Sequence, residues 1–307
     1  MCLAALFGLP APDGDALGLY RECTGRSAWP EGPAREGWLI DGRRGGKSRV
    51  AALVAVYLAC LRDYRAILAP GERDTVMLLA AERRQARVLM RYVVGLLEGS
   101  RLLARLVTRR AGEAVSLSTG LTIEIHTASY RSVRGYTVVA AVFDELAFWR
   151  SEDSANPDVE ILAALRPAMA TVPGALLLCI STPYARRGAL WEAFQAHFAR
   201  DGDPVLVWRA ATRTMNPAVA EPIVRAAYAE DEAAAAAEFG GEFRRELEDY
   251  VSGEALDAVV AARRARTPAT ARGALHGVLR SLGGRAGYDD AGRRPLGRGA
   301  RGAGLRP

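Results

Sequence analysis

The feature that most constrains the fold of this chain is a glycine-rich turn between two apolar segments. Residues 38–41 read as the end of a buried strand, and residues 50–60 read as a buried helix. The turn between them matches the end of the phosphate-loop pattern G-x-x-x-x-G-K-[ST] through Gly46, Lys47 and Ser48. Asp41 stands where the pattern has its first glycine. A strand, glycine loop and helix in this order point backbone N–H groups and a helix N-terminus at phosphate oxygens, which predicts a P-loop NTPase.

The basic residues single out the lysine of this loop. Of 41 basic residues, Lys47 is the only lysine, in a chain that otherwise uses arginine throughout. A compact ammonium is therefore retained where a planar guanidinium would not fit. We expect Lys47 to reach the β- and γ-phosphates of ATP and the Ser48 hydroxyl to hold Mg²⁺. The predicted nucleotide-binding residues are Gly42, Arg43, Arg44, Gly45, Gly46, Lys47, Ser48 and Arg49.

A second acidic motif follows a predicted strand. Residues 138–143 form a continuous apolar run rich in β-branched side chains, which is typical of a buried parallel strand. The run ends in Asp144 and Glu145, at the carboxyl end, where α/β sheets bind ligands. We expect Asp144 to bind Mg²⁺ through water and Glu145 to polarise the attacking water. An Asp-Glu pair alone could equally cap a helix, so the prediction depends on the P-loop upstream.

Further strands and helices alternate along the chain. Strands are predicted at residues 75–80, 121–127, 175–180 and 205–208, and helices at residues 161–169 and 188–198 and after the strand at 75–80. This alternation predicts an α/β fold, a mostly parallel sheet flanked by helices. His126, with no histidine or cysteine near it in sequence, reads as a polar residue at the end of a strand.

The cysteines and the hydropathy pattern limit the cellular setting. Cys2, Cys23, Cys60 and Cys179 have neither metal-ligand nor disulfide-framework spacing, which favours a reducing compartment. No apolar run reaches the length of a membrane span, and the N-terminus lacks the basic segment of a signal peptide. We expect a location in the cytoplasm of a bacterial host and no contact with a membrane.

The motifs together resemble one family, the large (ATPase) subunit of tailed-phage terminase, which packages DNA. The P-loop with its arginines, the acidic stretch at residues 143–149 and the segment Ser181-Thr182-Pro183 each look like that family's motifs. Residues 6–9 and 20–26 look like its approach to the P-loop, so the resemblance covers roughly residues 6–252. It implies an ATP-hydrolysing motor, in a phage or prophage, that translocates double-stranded DNA into a procapsid. It also implies portal and small-subunit partners and a homo-oligomeric ring.

The resemblance implies roles for further residues. Arg43 or Arg44 would contact the γ-phosphate within the same subunit, and we favour Arg44 as the catalytic arginine. Arg134, with Arg131 as second choice, matches the position of an arginine finger that reaches the ATP of a neighbouring subunit. Ser181 and Thr182 would couple hydrolysis to movement of DNA.

The resemblance also suggests a division into domains. Residues 1–214 would form the P-loop ATPase domain and residues 215–262 a small helical lid or linker subdomain. Terminase large subunits normally continue into a nuclease, but residues 263–307 are rich in glycine and arginine, which predicts a disordered tail and no nuclease activity. The tail holds eleven arginines and two aspartates, a balance of +9, so residues 1–262 have a balance of −3 and the net charge of +6 reflects the tail.

The tail also permits a genetic hypothesis. Read one nucleotide out of frame, residues 275–290 can encode an Asp-Pro-Ser-Gly-Gly segment similar to the start of the terminase nuclease. The tail would then be nuclease sequence in the wrong frame.

Two alternatives stay open from the sequence. Another P-loop DNA translocase or helicase would carry nearly the same motifs, although the arginine-rich P-loop favours terminase. An inactive prophage remnant would carry them as inherited features, with its tail at most binding DNA phosphates.

Overall fold

The computed structural model describes residues 1–66, 74–127, 135–149 and 157–244. All of these residues lie within one compact unit. The predicted arginine fingers Arg131 and Arg134 and the predicted tail at residues 263–307, with its frameshift hypothesis, lie outside the described residues.

A sheet of eight strands forms the middle of the described structure. The strands are β1 (Glu36–Asp41), β2 (Asp74–Ala80), β3 (Val107–Ala111), β4 (Ala114–Leu117), β5 (Thr122–Thr127), β6 (Thr137–Asp144), β7 (Leu176–Ser181) and β8 (Val205–Ala210). Their order is β3-β4-β5-β2-β6-β7-β1-β8. The six strands from β5 to β8 in that order pair in parallel, and β4 pairs antiparallel with both β3 and β5. The predicted α/β fold with a mostly parallel sheet is confirmed.

The central strands are parallel, and helices bury them on both faces. In β2 and β7 every residue is buried, and in β6 every residue after Thr137 is buried. Their apolar runs do not alternate with polar residues, as expected for strands covered by helices on each side. β1 shows the two faces clearly, because Leu39 packs in one apolar cluster and Trp38 and Ile40 pack in the other.

Helices cover both faces of the sheet. They are α1 (Cys2–Leu6), α2 (Asp15–Thr24), α3 (Lys47–Leu61), α4 (Arg83–Glu98), α5 (Arg101–Ala104), α6 (Pro157–Met169), α7 (Gly188–His197), α8 (Thr212–Met215), α9 (Glu221–Glu230) and α10 (Glu232–Glu238). The cluster around Leu39 includes α1 to α4, and the cluster around Trp38 includes α6 and α7. A single 3-10 turn, Leu146–Phe148, follows β6.

The order of the strands brings three distant segments together. β7 lies between β6 and β1, and all three run in the same direction. Their carboxyl ends therefore meet at one edge of the sheet, where Asp41, Asp144 and Ser181 are the last residues of the three strands. This edge is the one at which parallel sheets bind ligands.

The lid segment, residues 212–244, comprises α8, α9 and α10 and packs onto the phosphate loop. The Thr212 hydroxyl donates to the Arg43 carbonyl at 2.7 Å, and the Asn216 side-chain amide donates to the Arg44 carbonyl at 2.9 Å. The segment ends in a parallel bridge between Ala185 and Arg244. The division into an ATPase domain at residues 1–214 and a helical lid or linker at residues 215–262 stays a prediction, and its boundary at residue 262 lies outside the described residues.

The sequence-based elements were correct in type and differ at their ends. The strand predicted at residues 121–127 begins at Thr122, and the helix predicted at residues 161–169 begins at Pro157, a residue well suited to a first helical turn. The hairpin of β3 and β4 was not predicted. Four of the five residues of β3 are exposed, so the strand has no apolar pattern to reveal it.

Among the described residues, no helix combines the length and apolar character needed to cross a membrane.

Candidate active site

The phosphate loop occupies the turn between β1 and α3. Gly46 has φ +95°, a left-handed conformation that glycine adopts without strain, and α3 begins at the next residue, Lys47. Arg44 has φ +66°, which costs a residue with a side chain about 1 kcal/mol or more. The Asn216 side-chain amide donates to the Arg44 carbonyl at 2.9 Å, so the lid segment helps to hold the loop in this shape.

Glycine is required at the start of the loop because the lid segment approaches it closely. A Cβ on Gly42 would overlap the Thr212 hydroxyl and would lie 2.6 Å from the Phe239 carbonyl oxygen. The Thr212 hydroxyl instead donates to the Arg43 carbonyl at 2.7 Å. The backbone of the loop is therefore held by β1, which precedes it, and by its contacts with the lid segment.

The lysine of the loop lies at the centre of a buried polar cluster. Lys47 is 5% exposed, and its Nζ lies 3.1 Å from Glu145 Oε1 and donates to Thr182 Oγ1 at 2.7 Å. The other carboxylate oxygen, Glu145 Oε2, accepts from the Thr182 backbone N–H at 2.9 Å and from Ser181 Oγ at 3.4 Å. Predicted site residues that are far apart in sequence are thus in direct contact: the loop lysine, the acidic Glu145 and the pair Ser181 and Thr182.

Glu145 is held in an unusual backbone conformation. Its φ is +51°, and its N–H donates to the Ile180 carbonyl of the neighbouring strand at 2.8 Å. This left-handed residue ends β6 and directs the Glu145 carboxylate toward the end of β7, where Ser181 Oγ and the Thr182 N–H donate to it. Non-glycine residues in this conformation cluster at functional sites, where surrounding contacts offset the strain.

Asp144 is a buried carboxylate with an unsatisfied oxygen. Its Oδ1 is buried without a hydrogen-bond partner among the described residues. Burial, reinforced by the negative charge of Glu145, raises the pKa of Asp144 from 3.8 to about 7, and the positive charge of Lys47 opposes that rise. The half-buried Ser48 begins the same helix as Lys47. A buried carboxylate oxygen without a donor, together with a hydroxyl at a phosphate loop, fits the oxygen ligands that Mg²⁺ takes beside bound phosphates.

Asp41 is a second buried carboxylate, and no role for it was predicted. It is fully buried at the end of β1, and both of its oxygens lack a partner among the described residues. Burial raises its pKa from 3.8 to about 7, against the opposing charge of Lys47. At neutral pH, Asp41 is therefore partly protonated beneath the phosphate loop.

The two loop arginines take different positions. Arg43 is exposed and its Nη1 lies 3.1 Å from Glu238 Oε2 of the lid segment, while its backbone N–H donates to the Glu238 carbonyl. Arg44 and Arg49 are both exposed and have no side-chain hydrogen bond or ion pair among the described residues. In this structure it is Arg43, not the favoured Arg44, that lies at the cavity described next.

A cavity of about 360 Å³ opens in front of this cluster. It is lined by Arg43, Gln85, Glu145, Phe148, Thr182 and Glu238. Two larger cavities, of about 560 and 650 Å³, lie at the opposite edge, where the parallel strands begin, and neither includes a predicted site residue. Of these three cavities, the smallest is the one lined by predicted site residues. Gln85, Phe148 and Glu238 were not found from the sequence, because nothing local marks them and only the fold brings them to the site.

Comparison with known proteins adds a likeness of fold. No protein-family model matches the sequence, and no curated protein matches it. Among solved structures, a mutant of the large terminase ATPase domain of Thermus phage P74-26 matches with a TM-score of 0.50 and 18% identity, over 78% of this chain and 97% of that one. The chain has the fold of a phage large-terminase ATPase domain.

Two longer terminases also match this chain. The large terminase of a thermophilic bacteriophage in complex with ADP matches with a TM-score of 0.50 and 15% identity, over 74% of this chain and 52% of that one. The large terminase of bacteriophage HK97 gives a TM-score of 0.49 and 18% identity, over 65% of this chain and 43% of that one. The match thus spans about half of each of these terminases. At these identities, the likeness to the P74-26 domain and to the ADP complex shows the fold alone.

Proposed function

We propose that this chain is an ATPase of the large-terminase type, a motor subunit that hydrolyses ATP to translocate double-stranded DNA. The observation that carries the proposal is the contact of Lys47 with Glu145 and Thr182 at the carboxyl edge of a terminase ATPase fold. A buried lysine on a glycine loop and an acidic residue after a parallel strand are groups that P-loop enzymes use to hold phosphates and to position the attacking water, and Thr182 contacts both of them.

The phosphate loop would bind the triphosphate. The Arg44 and Gly46 N–H groups, which donate to no backbone carbonyl among the described residues, and the N-terminus of α3 favour negative charge at this point, and Lys47 supplies a full positive charge. Burial of Lys47 leaves its charge poorly screened by water, which strengthens its attraction for phosphate oxygens. ADP is the ligand of the thermophilic-phage terminase structure with the same fold, which supports a nucleotide here.

Mg²⁺ would be held by the Ser48 hydroxyl and, through water, by Asp144, and it would neutralise charge on the β- and γ-phosphates. Binding of a cation would also lower the pKa of Asp144 by giving its buried carboxylate an opposite charge.

Glu145 would polarise the attacking water. In the structure Glu145 Oε1 lies against Lys47 and Oε2 accepts from the Thr182 N–H, so the positive charge of Lys47 holds the carboxylate oxygen that would otherwise accept from water. An incoming γ-phosphate competes for Lys47, and its arrival would release Glu145 Oε1 toward the cavity. Because Thr182 bonds to both Lys47 and Glu145, the same exchange would reach the end of β7, which is how we account for a coupling role of Ser181 and Thr182.

The arginines would stabilise charge on the transferring phosphoryl group. Arg43 lines the cavity, and Arg44, the next residue of the loop, is exposed; either arginine would contact the γ-phosphate. Arg134, with Arg131 as second choice, remains our proposal for an arginine that acts on the ATP of a neighbouring subunit in a ring. Portal protein and small subunit are the proposed partners, in a bacterial cytoplasm.

Steady-state hydrolysis tests the proposal. Phosphate release by the full chain with Mg²⁺, ATP and duplex DNA is compared for the wild type, Lys47→Ala and Glu145→Ala. Glu192→Ala serves as the matched control, because Glu192 is an exposed carboxylate on α7. We expect both site variants to lose about a hundredfold or more in rate and the control to match the wild type. A folded wild type without hydrolysis would instead favour the inactive remnant.

A further inference from the structure

The cavity that Glu145 lines is also lined by a polar side chain without a hydrogen-bond partner among the described residues, that of Gln85. Gln85 lies in the first turn of α4, which follows β2, and β2 pairs with β6 so that Ala80 lies beside Asp144. The half-buried Gln85 therefore lines the same cavity as Glu145 and Thr182.

The amide of Gln85 makes no side-chain hydrogen bond among the described residues. Its neighbours on the helix, Arg83 and Arg87, are both committed to Glu113, away from the cavity. A half-buried amide without a protein partner keeps both its donor and its acceptor for a ligand.

The other residues that line the cavity are already engaged or apolar. Arg43 pairs with Glu238, Thr182 bonds to Lys47 and Glu145, and Phe148 offers only its ring.

We propose that Gln85 is a further catalytic residue, which holds the attacking water against Glu145; this inference rests on the proposed ATPase function. A water molecule has two O–H groups to place. Glu145 accepts one and the Gln85 carbonyl oxygen accepts the other, while the Gln85 NH₂ donates to an oxygen of the γ-phosphoryl group only in the transition state, as that group moves toward the water. An amide suits this task because it is donor and acceptor at once and does not titrate.

The step balances with the groups at hand. The water oxygen forms a bond to the γ-phosphorus, the bond from that phosphorus to the bridging oxygen breaks, and its electron pair leaves with ADP. One water proton passes to Glu145. Gln85 changes no bond of its own and acts by orienting the water, an effect that belongs to the rate of the chemical step rather than to binding of ATP.

The chain offers its own control for a test of this inference. It contains two glutamines, and the second, Gln195, is exposed on α7. Phosphate release and binding of a fluorescent ATP analogue are measured on the full chain for the wild type, Gln85→Ala, Gln85→Glu and Gln195→Ala. We expect Gln85→Ala to lose about a hundredfold in kcat with KM, analogue binding and unfolding temperature unchanged, and Gln195→Ala to match the wild type.

The Gln85→Glu variant separates orientation of water from a structural role. An ionised carboxylate has the shape of the amide but no donor, and it repels the phosphate, whereas the protonated carboxyl group has both donor and acceptor. The rate of Gln85→Glu relative to the wild type should therefore rise as the pH falls from about 8 to about 5.5, toward the ordinary pKa of a glutamate.

The inference is overturned if Gln85→Ala keeps kcat within about threefold of the wild type, or if its kcat falls only together with unfolding temperature or analogue binding. A flat pH dependence of Gln85→Glu relative to the wild type overturns it equally. If the wild type and Gln195→Ala both fold but do not hydrolyse ATP, the ATPase proposal itself fails and takes this inference with it.

Discussion

Replacing the buried Asp41 by asparagine should stabilise the protein strongly at alkaline pH and much less at acidic pH. Both Asp41 oxygens are buried without partners among the described residues, and its pKa is raised from 3.8 to about 7. The folded state therefore binds a proton that the unfolded state releases between these two values. Stability contributed by this group is lost as the pH rises from about 4 to about 7, and the loss is complete above 7.

The magnitude follows from the size of the shift. A rise from 3.8 to about 7 corresponds to about 4 kcal/mol at pH 8.5, where the wild type must bury a charged carboxylate. Asparagine has nearly the same shape and no charge. The charged groups that sense Asp41 are Lys47, which opposes the rise, and the buried thiols Cys2 and Cys23, whose pKa values Asp41 raises further. Lys47 keeps Glu145 as its partner in the variant, so the gain should approach the full value.

Urea unfolding followed by circular dichroism at pH 5.0 and 8.5 measures this effect. We expect the free energy of unfolding of Asp41→Asn to exceed that of the wild type by about 4 kcal/mol at pH 8.5 and by about 1 to 2 kcal/mol at pH 5.0. Asp13→Asn, a change at an exposed aspartate, controls for a general effect of charge. A variant that is less stable than the wild type at pH 8.5, or a difference independent of pH, would refute the account of a buried and partnerless carboxylate.

Three further changes test the contacts of the site. Thr182→Val removes the hydroxyl that accepts a hydrogen bond from Lys47. In steady-state kinetics, we expect the rate of phosphate release to fall about tenfold, with little change in nucleotide affinity. Glu238→Gln frees Arg43 for phosphate and should tighten binding of a fluorescent nucleotide a few fold; unchanged or weaker binding would contradict this. Gly42→Ala places a methyl group against the lid segment and should lower the free energy of unfolding by about 1–3 kcal/mol, read from urea unfolding.

The sequence revealed those parts of the site whose signal is local. The glycine loop with Lys47 and the apolar strand before Asp144 each carry their pattern within a dozen residues, and the structure places them in contact with the pair Ser181 and Thr182. The pairing of β6, β7 and β1 that brings them together depends on long-range packing, which no single segment records.

Other features could not be read from the sequence because they depend on the tertiary structure. Gln85 reads as an ordinary helix residue, and Glu238 as the end of an alanine-rich helix, until the fold sets both at one cavity. The exposed strand β3 has no alternation of apolar and polar residues. The left-handed φ of Glu145 could not be predicted because glutamate rarely adopts that conformation.

The identity of the nucleotide held by the protein after turnover tests the central claim most directly. The wild type, Glu145→Gln and Lys47→Ala are incubated with Mg²⁺ and ATP, separated from free nucleotide, denatured and analysed by chromatography. If Lys47 binds the phosphates and Glu145 activates the water, the wild type holds ADP, Glu145→Gln holds unhydrolysed ATP, and Lys47→Ala holds almost none. ADP on Glu145→Gln in the same proportion as on the wild type, or full occupancy of Lys47→Ala, would contradict the account.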